Sequence, residues 1–569
     1  NPSEIGEIYL QDASGAPQPV FYLDDVSLTA DSSPPAPVPA PALSVNAGMV
    51  IGTISPDIYG MNFAEESLAA ALRLPVRRYG GNAASRYNWQ VDASNVGSDW
   101  YFENIASDND EPARLPDGSA VDRFVEQDRR TGTRSLLTIP MLGWVAKRRQ
   151  AGHPFDCGFK VSIYGQQQAT DPWDPDCGNG VRAGGGNIAG NDPWDTSQPF
   201  TPSDVVAWIT HLKHVFGDSA SGGVALFNYD NEPMLWNSTH RDVHPQPVGY
   251  DELVERTIAY GAAVKAADPG IAVLGPTTWG WCAWFHSAKD GCAAGSDQAA
   301  HGNQDLTAWY LDRMRDYETA HGRRILDYLD VHYYPQASGV ALSSAGTSAV
   351  QALRLRTTRS LWDATYVDES WIGQPVRFIP RLREWVATHY PGTKIAVTEY
   401  NFGGLEHMNG ALAQADALGI FGRERLDLAT LWDPPTAGQP GAFAFRIYRN
   451  YDGAGGSFGE TAVSAVSMNQ EVVSIYAAKR TSDRSLTVMA INKSSTAQTA
   501  AIALAGFAPA RMAAVYRYDA TDLTAIRRIE DQAVTSGGWT SLLPPASLTL
   551  YVVPTVASPT LPWLPLVLH

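Results

Sequence analysis

The sequence has no uninterrupted apolar run of about 18 residues, so no helical membrane span is expected. It has no basic excess either: 42 Lys and Arg stand against 60 Asp and Glu, a formal net charge of −18. That balance argues against a nucleic-acid partner and suits an uncharged polymer. Cysteine is scarce, with four in 569 residues, at 157, 177, 282 and 292. Their spacing matches no zinc pattern. They fall as two pairs, Cys157/Cys177 and Cys282/Cys292, in loops rich in Gly, Asp and Pro. Loop disulfides fit a secreted protein, and four free thiols are the alternative. The sequence also lacks a phosphate-cradling glycine loop, a His-Glu-x-x-His motif and a serine nucleophile elbow. Its opening, Asn1-Pro2-Ser3-Glu4, carries no leader pattern, as in a processed or trimmed chain.

What is present points to several modules, since 569 residues exceed one ordinary core. Residues 1–30 close on a lone strand pattern, Phe21 to Leu28, and read as the remnant of a β-rich, carbohydrate-binding-module-like domain. Residues 31–42 form a Pro-rich linker. Apolar, β-branched runs then alternate with helical patterns. Strands are expected at 57–62, 76–79, 135–141, 224–229, 271–276, 328–333, 394–398 and 430–432, with helices between several of them. Such alternation predicts a parallel sheet with crossover helices, and eight strands predict an α/β fold of the TIM-like (β/α)8 barrel type over 57–460. After 460 the period becomes two. Residues 461–554 therefore read as an antiparallel β-sandwich, joined by a strand in 43–56. Residues 555–569 read as a disordered or vector-derived tail.

Two strands end in carboxylates. Phe227-Asn228-Tyr229-Asp230-Asn231-Glu232 is stopped by Pro233, and Ile395-Ala396-Val397-Thr398-Glu399 runs into Tyr400 and Asn401. In a β/α barrel the C-terminal strand ends face the cleft. A carboxylate directly after a buried strand is costly unless it is used. Strands 4 and 7 face one another across a barrel mouth, so Glu232 and Glu399 are expected about 5–5.5 Å apart, the retaining separation. Glu232 suits the general acid/base, Glu399 the nucleophile, and Asn231 a contact to the sugar 2-hydroxyl. Arg77, Arg78 and Asn82 end strand 2, where one arginine would hold the nucleophile ionised and the other form a structural ion pair. His332 and Tyr334 at strand 6, and Tyr400 at strand 7, offer groups to orient Glu399 or meet a hydroxyl. Trp432 is a platform candidate. Trp89, Trp100, Trp279 and Trp371 lie in loops, where packing competes with sugar stacking as their role. Two acidic clusters, 108–111 and 171–176, carry oxygen ligands suited to a hard cation, against the alternative of solvated loop charge.

Taken in order, several motifs resemble glycoside hydrolase family 44. They are Arg77-Arg78-Tyr79-Gly80-Gly81-Asn82, Tyr87-Asn88-Trp89, Gly97-Ser98-Asp99-Trp100-Tyr101, Asp230-Asn231-Glu232-Pro233, Asp330-Val331-His332-Tyr333-Tyr334, Thr398-Glu399-Tyr400 and Tyr448-Arg449-Asn450-Tyr451. The similarity runs over roughly 43–554. It implies a barrel plus β-sandwich and a retaining endo-β-1,4-glucanase, with Glu232 as acid/base and Glu399 as nucleophile. It also implies Trp371 and Trp432 as cleft aromatics, and often a bound structural Ca2+, with no cofactor needed for the chemistry. Family members act on xyloglucan and in some cases on xylan or mannan. The stretch Ile372-Gly373-Gln374-Pro375 and the cysteine-bearing insertions depart from the common pattern. The expected partner is thus a β-glucan or hemicellulose polysaccharide, and a secreted monomer is expected. Xylan or mannan as a major substrate, and a non-catalytic polysaccharide-binding protein, are the alternatives.

Overall fold

The computed structural model describes residues 38–556. The expected module remnant, most of the linker and all but two residues of the tail lie outside the described residues. Eight parallel strands close into a barrel. They are β1 (Gly60–Asn62), β2 (Val76–Tyr79), β3 (Arg134–Ile139), β4 (Leu226–Tyr229), β5 (Ala272–Thr278), β6 (Tyr328–Val331), β7 (Lys394–Tyr400) and β8 (Leu428–Leu431). Each expected segment supplies one strand. The first is short because Pro56–Tyr59 winds into a 3-10 turn.

A helix follows every strand: α1 (Glu66–Leu72), α2 (Ala120–Thr131), α3 (Pro202–Phe216), α4 (Tyr250–Ala267), α5 (Leu306–His321), α6 (Phe378–His389), α7 (Met408–Arg423) and α8 (Pro440–Arg449). Local chemistry fixes their ends. The Ser119 side chain accepts from the Asp122 N–H to start α2, and Gly132 stops it in the left-handed region. Thr201 and Asp204 form a capping box at α3, with Pro202 at its first position.

Alternation along the strands sets what fills the barrel. Val76, Leu136, Leu226, Leu274, Tyr328, Ala396 and Leu428 form one apolar layer inside it. Two residues further along, on the same face, stand Arg78, Thr138, Asn228, Asp330, Thr398 and Thr430, all buried. The floor of the barrel is hydrocarbon and the tier above it is polar. That polar tier underlies the site.

The C-terminal region, the strand Leu43–Thr53 and the short Val38–Pro39 form one ten-stranded sheet, mostly antiparallel, curled about its own apolar core that includes Val45, Val463, Ile475, Val488, Ile502, Val515 and Tyr551. The expected sandwich is therefore continuous in its hydrogen bonding. Val38–Pro39, placed by the sequence in the linker, pairs parallel to residues 498–499, with Val38 N donating to Ala497 O at 3.0 Å. An edge position tolerates Pro39, which has no N–H to offer. Helix α7 lies between barrel and sheet and is buried from Met408 to Gly422. At Gly419 a Cβ would stand 2.3 Å from the Tyr476 ring, so only glycine allows this approach. Across the same seam Lys493 Nζ meets Asp416 Oδ2 at 2.9 Å, both side chains fully buried.

Candidate active site

Glu232 owes its position to a bent strand end. Asp230 and Glu232 sit at φ of 59° and 46°, a region that non-glycine residues adopt at a cost. The turn is held by Asp230: its Oδ2 accepts from the N–H of Met141 and from that of Leu142 at 2.8 Å, and its Oδ1 accepts from Asn231 N at 2.7 Å. Burial pushes the Asp230 carboxyl up to about 6 against these hydrogen bonds. Glu232 N donates to Thr277 O at 3.0 Å, which ties the turn to β5. Sequence reading did not assign Asp230 this role. Its adjacency to Asn231-Glu232 was the available signal.

Glu399 reaches the same space through an irregularity. The pairing of β7 with β8 shifts register between Val397 and Tyr400. Such a shift re-aims side chains. Thr398 and Glu399, consecutive in sequence, both face the polar tier. The Thr398 hydroxyl donates to Asp330 Oδ2 at 2.7 Å. Glu399 Oε1 accepts from Arg78 Nη1 at 2.7 Å, and its Oε2 accepts from the Tyr334 hydroxyl at 2.8 Å.

Arg78 is the hub of this tier and has no exposed surface. Its fork donates to Asn228 Oδ1 at 2.8 Å, Asn62 Oδ1 at 3.1 Å and Asn231 Oδ1 at 2.9 Å, besides Glu399. A planar guanidinium can satisfy four acceptors at once, which a lysine ammonium cannot. Asn62 is fixed in turn, its amide donating to the Thr398 carbonyl at 2.9 Å. Asn228 donates to Asp330 Oδ2 at 2.6 Å. Asn62, Asn228 and Asp330 were missed as site residues. Polar side chains at inward positions of otherwise apolar strands are the pattern that would have found them.

His332 bridges the two acids. Its Nδ1 lies 2.8 Å from Glu232 Oε1 and 3.5 Å from Glu399 Oε2. A ring nitrogen of His332 and one oxygen of each glutamate lie within 4.8 Å of one another. Nε2 is 3.3 Å from the Thr398 hydroxyl, whose single proton goes to Asp330, so Nε2 donates. Burial works to lower the His332 pKa, but the charge of Glu399 and the hydrogen bond and charge of Glu232 outweigh it and raise it. For Glu232, burial raises the carboxyl, His332 opposes that, and the Glu399 charge raises it again; the net direction is up. Burial and the nearby Glu399 charge hold the Tyr334 phenol well above its usual range, so it stays a donor.

The remaining expected residues divide. Asn82 belongs to the site: its Oδ1 accepts from Asn231 Nδ2 at 3.0 Å, and its own amide donates to Asp99. Trp432 lies on the rim beside Asn62 and Phe63. Trp371 is exposed, its Nε1 donating to Gln336 Oε1 at 3.2 Å, and Gln336 donates to Tyr334 O. Trp279 directly follows β5, partly buried against the core. Trp100 is exposed next to Asp99. The two arginines divide as expected, Arg78 on Glu399 and Arg77 in the structural ion pair, so Arg77 is no substrate-binding residue: it points the other way from Arg78, pairs with Asp128 at 2.9 Å and lies over the Phe124 ring, because adjacent strand residues face opposite sides. Two expectations are corrected. Trp89 is buried against His211. Tyr400, on the far side of the register shift, packs on Phe421 while its hydroxyl accepts from Gln414 at 2.9 Å.

The cysteines are bonded as Cys157–Cys177 and Cys282–Cys292. Near the first pair, Glu103 is fully buried with neither carboxylate oxygen hydrogen-bonded. Burial and the neighbouring charges of Asp171 and Asp174 push it up to about 8. Three carboxylates share this neighbourhood, a donor type suited to a hard cation, but their oxygens do not gather as closely as the ligand atoms of Glu232, His332 and Glu399. Two of the three belong to the acidic cluster at 171–176. In the other, Asp108, Asp110 and Glu111 line an open surface groove.

Two carboxylates on opposing barrel strands, one hydrogen-bonded to a buried arginine and the other raised by burial, define a glycoside hydrolase. Residues 93–337 match the family profile described as Glycoside hydrolase family 44. Endoglucanase A of Paenibacillus lautus is 33% identical over 494 residues, which are 82% of this chain and 66% of that protein; the chain thus spans just under two thirds of that relative's length. Among solved structures, CelM2, a bifunctional glucanase-xylanase protein from a metagenome library, superposes with a TM-score of 0.87 at 41% identity, over 91% of this chain and all of that one. A Paenibacillus polymyxa xyloglucanase from family 44, solved with xyloglucan, superposes with a TM-score of 0.76 at 30% identity, over 91% of this chain and all of that one. The chain belongs to glycoside hydrolase family 44. Among the described residues, no helix is long and apolar enough to cross a membrane.

Proposed function

We propose that the protein is an endo-acting glycosidase that cleaves β-1,4-glucan backbones with retention of configuration, Glu232 serving as acid/base and Glu399 as nucleophile. The observation that carries this reading is that an oxygen of one carboxylate lies within 4.8 Å of an oxygen of the other. An inverting pair needs about 6.5–9.5 Å to admit a water, whereas a retaining pair stands about 5–5.5 Å apart. In the first step Glu399 attacks the anomeric carbon as the glycosidic C–O bond breaks, and the leaving oxygen takes the Glu232 proton. In the second, Glu232 takes a proton from water, the resulting hydroxide bonds to the anomeric carbon, and Glu399 leaves. Arg78 and the Tyr334 hydroxyl hold the Glu399 oxygens for in-line attack. Asn231 spends its Oδ1 on Arg78 and one amide hydrogen on Asn82, which leaves a second hydrogen for the sugar 2-hydroxyl. Glu232 keeps 15% of its side chain exposed, enough for a leaving group to reach it. Trp432 and Trp371 offer apolar faces to pyranose rings.

Cellulose derivatives, mixed-linkage glucan and xyloglucan are the proposed substrates, in line with the endoglucanase, glucanase-xylanase and xyloglucanase among the relatives. Xylan or mannan as a major substrate is the second reading, and the glucanase-xylanase favours its xylan part. Glu103, Asp171 and Asp174 would hold a structural Ca2+ that takes no part in the chemistry. Two disulfides support a secreted site of action, and a monomer is the proposed working state. The test is Glu232→Gln, which should spare kcat/KM, the measure of the first step, on aryl cellobiosides with good leaving groups while losing it on carboxymethyl cellulose. Equal losses on both substrates would contradict the acid assignment.

A further inference from the structure

Trp173 is an aromatic that the catalytic account leaves unused, and its placement is unusual. It is two-thirds exposed, at 66%, although it sits on a turn between the buried residues Asp171 and Asp174. The turn is rigidly specified. Asp171 Oδ2 accepts from Asp174 N at 3.0 Å, Asp174 Oδ2 accepts from Phe155 N at 2.7 Å, and Cys177 closes the segment onto Cys157. An exposed indole on a stiff turn loses little entropy when a ligand covers it. Its ring centroid stands 5.5 Å from that of Trp100, with the planes tilted by 31°, so the two indoles make one aromatic strip. Trp100 is itself 38% exposed.

This strip connects to the catalytic centre. Trp100 follows Asp99, Asp99 accepts from Asn82, and Asn82 accepts from the Asn231 amide beside Glu232. The chain of contacts leads from the acid/base outward to this exposed strip. The other exposed cleft tryptophan, Trp371, belongs to the loop after β6 and is linked to Tyr334 instead.

Resting on the glucanase reading above, we infer that Trp173, backed by Trp100, forms a distal subsite for one pyranose ring of a long β-1,4-linked chain. The ring's apolar C–H face lies on the indole while its hydroxyls stay in water, the same division of polar and apolar surface that places tryptophan at wet interfaces. A short substrate that spans only the catalytic centre does not reach it. Trp173 is therefore a determinant of preference for polymer over oligomer.

The test compares Trp173→Ala and Trp173→Phe with the unsubstituted enzyme, using cellohexaose and cellobiose as calorimetric ligands in a Glu232→Gln background. Kinetics on barley glucan and on an aryl cellobioside are measured in the active enzyme. Trp173→Ala should weaken cellohexaose binding and raise KM on glucan by about threefold to tenfold, the scale of one aromatic face contact. Cellobiose binding and aryl cellobioside kinetics should not move, and Trp173→Phe should recover most of the loss. Unchanged cellohexaose affinity in Trp173→Ala would overturn the subsite, as would equal losses on long and short ligands. Failure of the unsubstituted enzyme to cut any β-1,4-glucan would instead overturn the glucanase reading, whatever Trp173 does.

Discussion

Arg78→Met is the most informative single perturbation. It keeps the length and apolar stem of the side chain but removes the cation that meets Glu399 at 2.7 Å and the donors to Asn62, Asn228 and Asn231. Breaking a buried ion pair from one side costs about 3–5 kcal/mol, because the partner charge is left uncompensated. Without the guanidinium, the Glu399 carboxylate loses both the charge that offsets its own and one of the two contacts that aim it at the anomeric carbon. If the full cost falls on the reactive form, kcat/KM drops by about two to three and a half powers of ten. The assay is hydrolysis of an aryl cellobioside with a good leaving group, read as kcat/KM. Arg78→Lys keeps charge without the fork and should fall between the two. Circular dichroism guards against misfolding. A folded Arg78→Met within tenfold of the parent would refute the reasoning.

Two further expectations concern titration. Glu232 is held above the ordinary glutamate range by burial and Glu399, and His332 pulls it back. Because the acid must be protonated, the alkaline limb of kcat/KM reports it. Removing the opposing group with His332→Ala should move that limb to higher pH; a shift to lower pH would count against the bridge. Glu103, at about 8 by burial and then by Asp171, has a folded pKa above its unfolded one. In chelated protein its contribution to stability is full below the ordinary glutamate pKa and is lost as pH rises toward 8. Calcium, which needs the ionised form, should raise Tm most at the alkaline end, and Glu103→Gln should remove that difference. Equal Tm with EDTA and with calcium at pH 8 would contradict the cation site.

The barrel was legible because each strand is an apolar run bounded by turn residues, and the two acids because each sits where such a run stops. Side-chain direction was less so. Arg77 and Arg78 are indistinguishable by type, and only the register of β2 against its neighbours turns Arg78 inward and Arg77 toward Asp128. Tyr400 was misplaced because the shift in β7 lets Thr398 and Glu399 share a face, which simple alternation forbids. Glu103 left no trace at all. It is a lone acid whose neighbours Asp171 and Asp174 lie some 70 residues away, brought close only by the fold.

A mechanism-based label tests the central claim most directly. Incubation with an activated 2-deoxy-2-fluoro-cellobioside should slow the second displacement and leave a covalent glycosyl ester. Peptide mass spectrometry should then find one added cellobiosyl group on Glu399, absent in Glu399→Ala. A label on Glu232 or any other residue, or hydrolysis products of inverted anomeric configuration, would contradict the account.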